Sequence, residues 1–119
     1  MDIKLSYAEF NVMKVLWQNE SMKALDIANI TKEQIGWEKN TTYTLINRLI
    51  KKGAIKRSEP NFICESIINH SEVQIAESKN FLDKMYNGSL NMFVKAFLSE
   101  NELSEEEIVE LKNIINKYK

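Results

Sequence analysis

Apolar residues recur at helical spacing in the first part of the chain, and they predict two helices. The first begins after Ser6, which forms a capping-box pattern with Glu9, and runs to about Gln18. A polar break precedes a second, shorter helix over Met22–Gln34. The expected inward residues of this second helix are Leu25, Ala28 and Ile35. Helices that are apolar on one side only must pack against further elements.

A third helix is predicted over Lys39–Lys52, and its two sides differ in character. The expected buried side consists of Thr42, Leu45, Ile46 and Leu49. Gly53 follows as the C-cap, and two short β-type segments come next, Ala54–Arg57 and Phe62–Ile68. Pro60 lies in the linker between them, where it fits a turn. Three helices followed by a β-hairpin are the order of elements in a winged helix-turn-helix domain.

The rest of the chain is predicted to be entirely helical. One helix begins at Ser71 and ends near Asn87-Gly88. The next covers Ser89–Leu98 and is apolar on nearly all sides, and the last is capped by Ser104. About 50 residues cannot readily cover so much apolar surface by themselves, so a partner chain is the expected cover. We therefore expect a mainly α protein with a winged-helix domain over residues 1–70 and a helical dimerisation domain over residues 71–119.

The dimerisation domain carries a set of large apolar side chains that we expect at the contact between two copies. These are Phe81, Met85, Leu90, Phe93, Val94, Phe97, Leu98, Ile108, Leu111 and Ile115. The alternative is that the three helices fold back onto the N-terminal domain and cover their apolar surface there.

The composition is that of an ordinary globular protein, with 44% hydrophobic residues, 28% charged residues and a net charge of −1. No signal peptide is recognised, and charges interrupt every apolar run, so a cytoplasmic protein without membrane insertion is expected. One cysteine (Cys64) and one histidine (His70) cannot form a disulfide or a protein-only zinc site. We expect His70 at the surface of a linker and Cys64 as an apolar filler on a strand, with a redox sensor as the alternative. Without an acid–base pair or a phosphate loop, neither an enzyme nor a cofactor is expected.

The charges are unevenly distributed along the chain. The first 68 residues carry two more basic than acidic residues, whereas the remainder carry three more acidic than basic residues. The segment Lys39–Arg57 contains six basic residues and no acid. A local basic stretch on a nearly neutral chain can bind phosphates, because screening confines the Coulomb interaction to about 10 Å. A solvated helix face is the alternative explanation of the same pattern.

The outer side of the third helix has the chemistry of a helix that reads duplex DNA in the major groove. Asparagine amides can pair with adenine, arginine with guanine, and a threonine methyl can pack on thymine. The candidate base-reading residues are Asn40, Thr41, Thr44, Asn47 and Arg48. The candidate residues for the DNA backbone are Lys39, Lys51, Lys52, Lys56 and Arg57. Arg48 could also clamp a phosphate.

The segment Trp37–Ile55, with the pattern W-x3-T-x2-T-L-I-x-R-L-x-K-K-G-A-I, closely resembles the penicillinase repressor family of the BlaI and MecI type. The resemblance extends over nearly the whole chain. Further matching segments are Tyr7–Trp17, Ser78–Leu82, Asn87–Asn91 and Leu103–Leu111.

The resemblance implies a homodimer with N-terminal winged-helix domains and an intertwined C-terminal region of three helices. Members of this family bind palindromic operators upstream of β-lactam resistance genes and repress these genes. In penicillin-responsive members a membrane sensor-protease triggers cleavage of the repressor, typically at an Asn-Phe bond. The matching bond here joins Ala96 and Phe97. The wing tip Ser58–Asn61 also differs from the family, since it lacks the usual basic residues.

An alternative function remains open from the residues themselves. A winged-helix module that binds proteins and not DNA would also fit the acidic residue at the wing tip and the nearly neutral net charge. Charge reversal at Lys51 and Lys52 separates the two hypotheses, because such a module has no duplex affinity to lose.

Overall fold

The computed structural model describes residues 3–118. In this part of the chain the elements are α1 (Tyr7–Trp17), β1 (Ser21–Lys23), α2 (Ala24–Gln34), α3 (Lys39–Lys52), β2 (Ile55–Ser58), β3 (Ile63–Ser66), α4 (His70–Tyr86), α5 (Leu90–Glu100) and α6 (Glu105–Lys117). The chain divides into two compact units, the first ending at Val73 and the second beginning at Gln74. The predicted class, mainly α with a small β-hairpin, is confirmed for the first unit as a winged helix-turn-helix.

Helices α1 to α3 and the sheet enclose the core of the first unit. The capping box at Ser6 is present as predicted: the Ser6 hydroxyl accepts from the Glu9 amide at 3.1 Å. The predicted inner side of α3 is confirmed as well. Its four members, Thr42, Leu45, Ile46 and Leu49, are all buried. Leu45, Ile46 and Leu49 pack in one cluster with Met13 and Leu16 of α1, among others. The third helix is therefore held by its apolar side, which leaves the other side to solvent.

Strand β1 was not predicted, and the predicted start of the second helix is wrong. Ser21–Lys23 pair antiparallel with β3, so that Met22 lies opposite Cys64 in a three-stranded sheet of order β1-β3-β2. Helix α2 begins only at Ala24. The prediction that Leu25 and Ile35 point inward is also wrong, because Leu25 is 47% exposed and Ile35 is 44% exposed. The buried residues of α2 are Ala24, Ile27, Ala28 and Thr31.

The hairpin formed by β2 and β3 is the wing. Strand β3 is shorter than predicted, and β2 is displaced by one residue from its predicted segment. The two strands meet in register at Ser58 and Ile63, with a cis bond between Glu59 and Pro60 in the turn. Cys64 is fully buried on β3, and burial raises the pKa of its thiol to about 11. A thiol in this state is protonated at neutral pH, which agrees with the prediction of an apolar filler.

His70 is partly exposed but does not lie in a linker, so that part of the prediction is wrong. It is the first residue of α4, and its ring stacks on Trp17 with centroids 4.3 Å apart and planes 11° from parallel. The indole of Trp17 donates to the hydroxyl of Ser66 and to the carbonyl oxygen of Ile68, at 3.0 and 3.1 Å. Trp17 thus connects the end of the wing to the start of α4.

Glu9 forms an ion pair within the first unit. It is 2% exposed, and its Oε1 lies 2.6 Å from Lys52 Nζ. The same ammonium donates to the carbonyl oxygen of Lys4 at 2.9 Å. Burial raises the pKa of the Glu9 carboxyl, but hydrogen bonds from Lys52 and Ser6 and the lysine charge outweigh this effect, so the pKa is lowered. The pair ties the end of α3 to the start of α1.

We expect this pair to make the stability of the protein sensitive to acid. A carboxyl whose pKa is lowered by folding stabilises the fold above its unfolded value of 4.5, and this contribution is lost as the pH falls through the folded value. Glu9→Gln should therefore flatten the fall of the unfolding free energy between about pH 5 and about pH 3. Urea unfolding of both proteins across this range measures it, with the exposed Glu33→Gln as the control. Parallel curves for wild type and Glu9→Gln would contradict the prediction.

The second unit, by itself, contains most of α4 together with α5 and α6. The hydroxyl of Ser89 accepts from the Met92 amide at 3.1 Å and caps α5, and Ser104 forms the predicted capping box with Glu107. Four aromatic rings meet edge to face or tilted, with centroids 5.5 to 6.0 Å apart. They belong to Phe81, Tyr86, Phe93 and Phe97. Even so, no residue of α5 or α6 is buried.

Candidate DNA-binding surface

The outer side of α3 has the composition that the sequence predicted. Asn40, Thr44, Asn47, Arg48 and Lys51 are all exposed. Within residues 3–118, neither cation of this group is paired with an acidic side chain. A single helix thus presents two amides, a hydroxyl and two cations to solvent, and this combination matches the edges of bases and the phosphates beside them. Thr41 and Lys39, in the first turn, are exposed as well.

Thr44 is already engaged in a hydrogen bond within the helix. Its hydroxyl donates to the carbonyl oxygen of Asn40 at 2.9 Å. The proton is therefore used, whereas the methyl group and the oxygen lone pairs remain available to a ligand. Contact of the methyl with thymine, one of the roles predicted for threonine, agrees with this geometry.

Lys52 does not belong to this surface. Its ammonium forms the ion pair with Glu9 and the hydrogen bond to Lys4 described above. A cation held in this way by a buried carboxylate is not available to a phosphate unless the pair is broken. Lys52 therefore connects α3 to α1, whereas the neighbouring Lys51 is exposed and forms no ion pair within residues 3–118.

The positive charge of Arg57, in the wing, is partly compensated by side chains close to it in the same hairpin. Its Nε lies 2.6 Å from Glu59 Oε1, and its guanidinium carbon lies 3.6 Å above the ring of Phe62. The hydrogen bond from Arg57 also lowers the pKa of the Glu59 carboxyl. Phe62 in turn contacts Tyr43 of α3, with centroids 6.1 Å apart. Within residues 3–118, Lys56 is therefore the cation of β2 that forms no ion pair, while Phe62 links the hairpin to the third helix.

These aromatic and ionic links were missed at the level of sequence. The separation of Glu9 and Lys52 along the chain is 43 residues, and no periodicity connects them. Elsewhere in residues 3–118, no group of three His, Cys, Asp or Glu side chains gathers as a metal site. None of the helices in this range has the length and hydrophobicity to cross a membrane.

Comparison with known proteins identifies the family. The profile of the penicillinase repressors matches residues 5–117. The chain belongs to the penicillinase repressor family. The methicillin resistance regulatory protein MecI of Mammaliicoccus sciuri is 39% identical over 116 residues, which are 96% of this chain and 94% of that protein. The penicillinase repressor of Bacillus licheniformis is 36% identical over 118 residues, covering 98% and 92%.

Two solved structures of the repressor BlaI are similar to part of this chain. The DNA-binding domain of BlaI in solution has a TM-score of 0.55 and 31% identity, covering 58% of this chain and 87% of that one. Bacillus licheniformis BlaI in its monomeric form, in complex with the blaP half-operator, has a TM-score of 0.53 and 30% identity, covering 60% and 90%. The family is therefore one of repressors, and the winged helix of this member is of the BlaI type.

Proposed function

We propose that this protein is a homodimeric transcriptional repressor that binds a palindromic DNA operator through helix α3. The observation that carries the proposal is the outer side of α3, which combines exposed amides and cations and contains no acid. It is supported by the likeness of the first unit to BlaI, which has been solved with a half-operator. In this role the protein acts in the cytoplasm, where bacterial operators lie.

The exposed residues of α3 would contact either bases or phosphates, according to their position on the helix. Asn40, Thr41, Thr44 and Asn47 face base edges in the major groove, and Arg48 reads a guanine or clamps a phosphate. Backbone phosphates are contacted by the exposed lysines, which position the helix without specifying sequence. These are Lys39, Lys51 and Lys56. Arg57 contributes less to phosphate binding than an unpaired cation would, because its ion pair with Glu59 weakens its attraction for a phosphate.

Dimerisation is supported by the apolar surface of the second unit. Side chains of this unit remain exposed to a degree that is unusual for residues of their type: Leu90 is 59% and Ile115 66% exposed. The other predicted contact residues are exposed or half-buried too. They are Phe81, Met85, Phe93, Val94, Phe97, Leu98, Ile108 and Leu111. A second copy of the same unit would cover this surface and would present two reading helices to the two halves of a palindrome.

Release of repression would follow the route of the penicillin-responsive members, in which a membrane sensor-protease acts on the repressor. The bond between Ala96 and Phe97 matches the cleaved position, and both residues are exposed in α5. This bond lies within a helix, so α5 would have to open locally before a protease could bind the segment in extended form.

The proposal is tested by selecting duplexes from a random library and measuring affinity as salt is raised. We expect a preferred palindrome and a steep fall of affinity with salt, because several phosphates release counterions. Lys51→Glu should weaken binding about tenfold or more, and should reduce the salt slope by about 1 for each subunit. Lys14→Glu, the same charge change on the exposed side of α1, is the control. A wild-type protein that selects no duplex would instead favour the protein-interaction module.

A further inference from the structure

Two threonine hydroxyls meet in the buried contact between α2 and α3. Thr31 Oγ1 and Thr42 Oγ1 lie 2.5 Å apart, and both residues are fully buried. Thr31 Oγ1 also lies 3.2 Å from the carbonyl oxygen of Ala28, to which it donates. A short polar contact therefore joins the two helices of the helix-turn-helix at a place where the surrounding core is apolar.

The donor and the acceptor of this hydrogen bond can be assigned by counting the protons that the two hydroxyls carry. Each hydroxyl has one proton, and Thr31 uses its proton for the Ala28 carbonyl. Thr42 must therefore be the donor in the contact between the two hydroxyls. Since a hydroxyl without a partner is costly in the interior, Thr42 depends on Thr31 more than Thr31 depends on Thr42.

The contact also determines how closely the helices approach. Two hydroxyl oxygens can lie 2.5 Å apart only because a hydrogen bond joins them. Two methyl groups in the same place would prefer a separation of about 3.5 to 4.0 Å. Replacing the pair by apolar groups would consequently push α3 away from α2 by about 1 Å, or rotate it about its axis.

We propose that the Thr31–Thr42 hydrogen bond is a positioning device that fixes the depth and rotation of the reading helix relative to α2. The inference rests on the proposed function, because it concerns how α3 meets DNA. Thr42 lies in the same helical turn as the candidate readers Thr41 and Thr44, so a shift at Thr42 is transmitted directly to them. Hydrogen bonds to base edges weaken steeply with distance and angle, and a displacement of about 1 Å is enough to lose them.

Valine substitutions can separate an effect on the position of α3 from an effect on the stability of the fold, because valine has nearly the shape of threonine but lacks the hydroxyl. Thr31→Val leaves the Thr42 hydroxyl without its acceptor and should lower the melting temperature. The double variant Thr31→Val with Thr42→Val leaves no stranded hydroxyl but crowds two methyl groups, so it should regain part of this loss. Thr42→Ser keeps the hydrogen bond and should keep selectivity even though it loses a methyl group.

The decisive measurement is the ratio of affinities for the duplex selected by the wild type and for a scrambled duplex of equal composition. It is made well below the melting temperature of every variant. We expect the ratio to fall about fivefold or more in the double variant, which corresponds to the loss of one base contact, and to stay near the wild-type value in Thr42→Ser. An unchanged ratio in the double variant would overturn the inference while leaving the proposed function intact. A wild type that shows no selectivity would defeat both.

Discussion

Leu111→Asp is expected to convert the protein into a monomer and to lower its affinity for a palindromic duplex by about 100-fold or more. Leu111 is 46% exposed in the single chain, so a carboxylate there meets solvent and costs the isolated unit little. In a dimer the same position is covered, and an unpaired charge cannot be buried without a large penalty. Loss of the dimer removes the high effective concentration of the second reading helix, and only the weak binding of one half-site remains.

Sedimentation equilibrium and a binding titration on the same samples measure these two effects. Asn113→Asp introduces the same charge into α6 at an exposed polar position, and it should leave both the mass and the affinity unchanged. A Leu111→Asp protein that stays dimeric, or a wild type that is monomeric at micromolar concentration, would contradict the proposed role of the second unit.

Arg48→Ala is expected to reduce the preference for the selected duplex by about 1 to 3 kcal/mol in each half-site. Arg48 is exposed on the outer side of α3 and has no acidic partner within residues 3–118. Its guanidinium can therefore be satisfied by a ligand at no cost to the fold. Thermal unfolding of the variant should accordingly match that of the wild type, which shows that the loss lies in recognition.

Arg48→Lys decides between the two roles left open for this residue. Lysine retains the charge but lacks the planar fork that pairs with the N7 and O6 atoms of guanine. If Arg48 reads a base, Arg48→Lys should retain the salt dependence and lose selectivity; if it clamps a phosphate, both should remain near the wild-type values. Equal selectivity of Arg48→Ala and wild type in a competition assay would show that the reading residues have been wrongly assigned.

The sequence predicted an element correctly when the interactions that stabilise it join residues that are close together along the chain. Helix α3 was predicted with both of its ends, because its apolar positions recur at three and four residues and Gly53, with a φ of 82°, ends it locally. The capping boxes at Ser6 and Ser104 are local in the same sense. In each case the residues that determine the structure lie within a few positions of one another.

Strand β1 shows where such reasoning fails. Ser21–Lys23 carry too short a pattern to indicate a strand, and they are extended because β3 lies beside them. The same pairing delays the start of α2 to Ala24, and the helix buries Ile27 and not Leu25. An error of this kind arises because strand pairing depends on residues that are distant in the sequence.

The sequence by itself determined helix α3, its inner and outer sides and the apolar surplus of the second unit, since these depend on residue type and helical spacing. Only the tertiary structure decided which cations form ion pairs within the fold and which are left to solvent. It pairs Lys52 with a carboxylate 43 residues away and Arg57 with Glu59 and Phe62, and it leaves Lys51 and Arg48 exposed. The physical reason is that charge is a property of a residue, whereas its availability depends on which partner the fold brings within hydrogen-bonding distance.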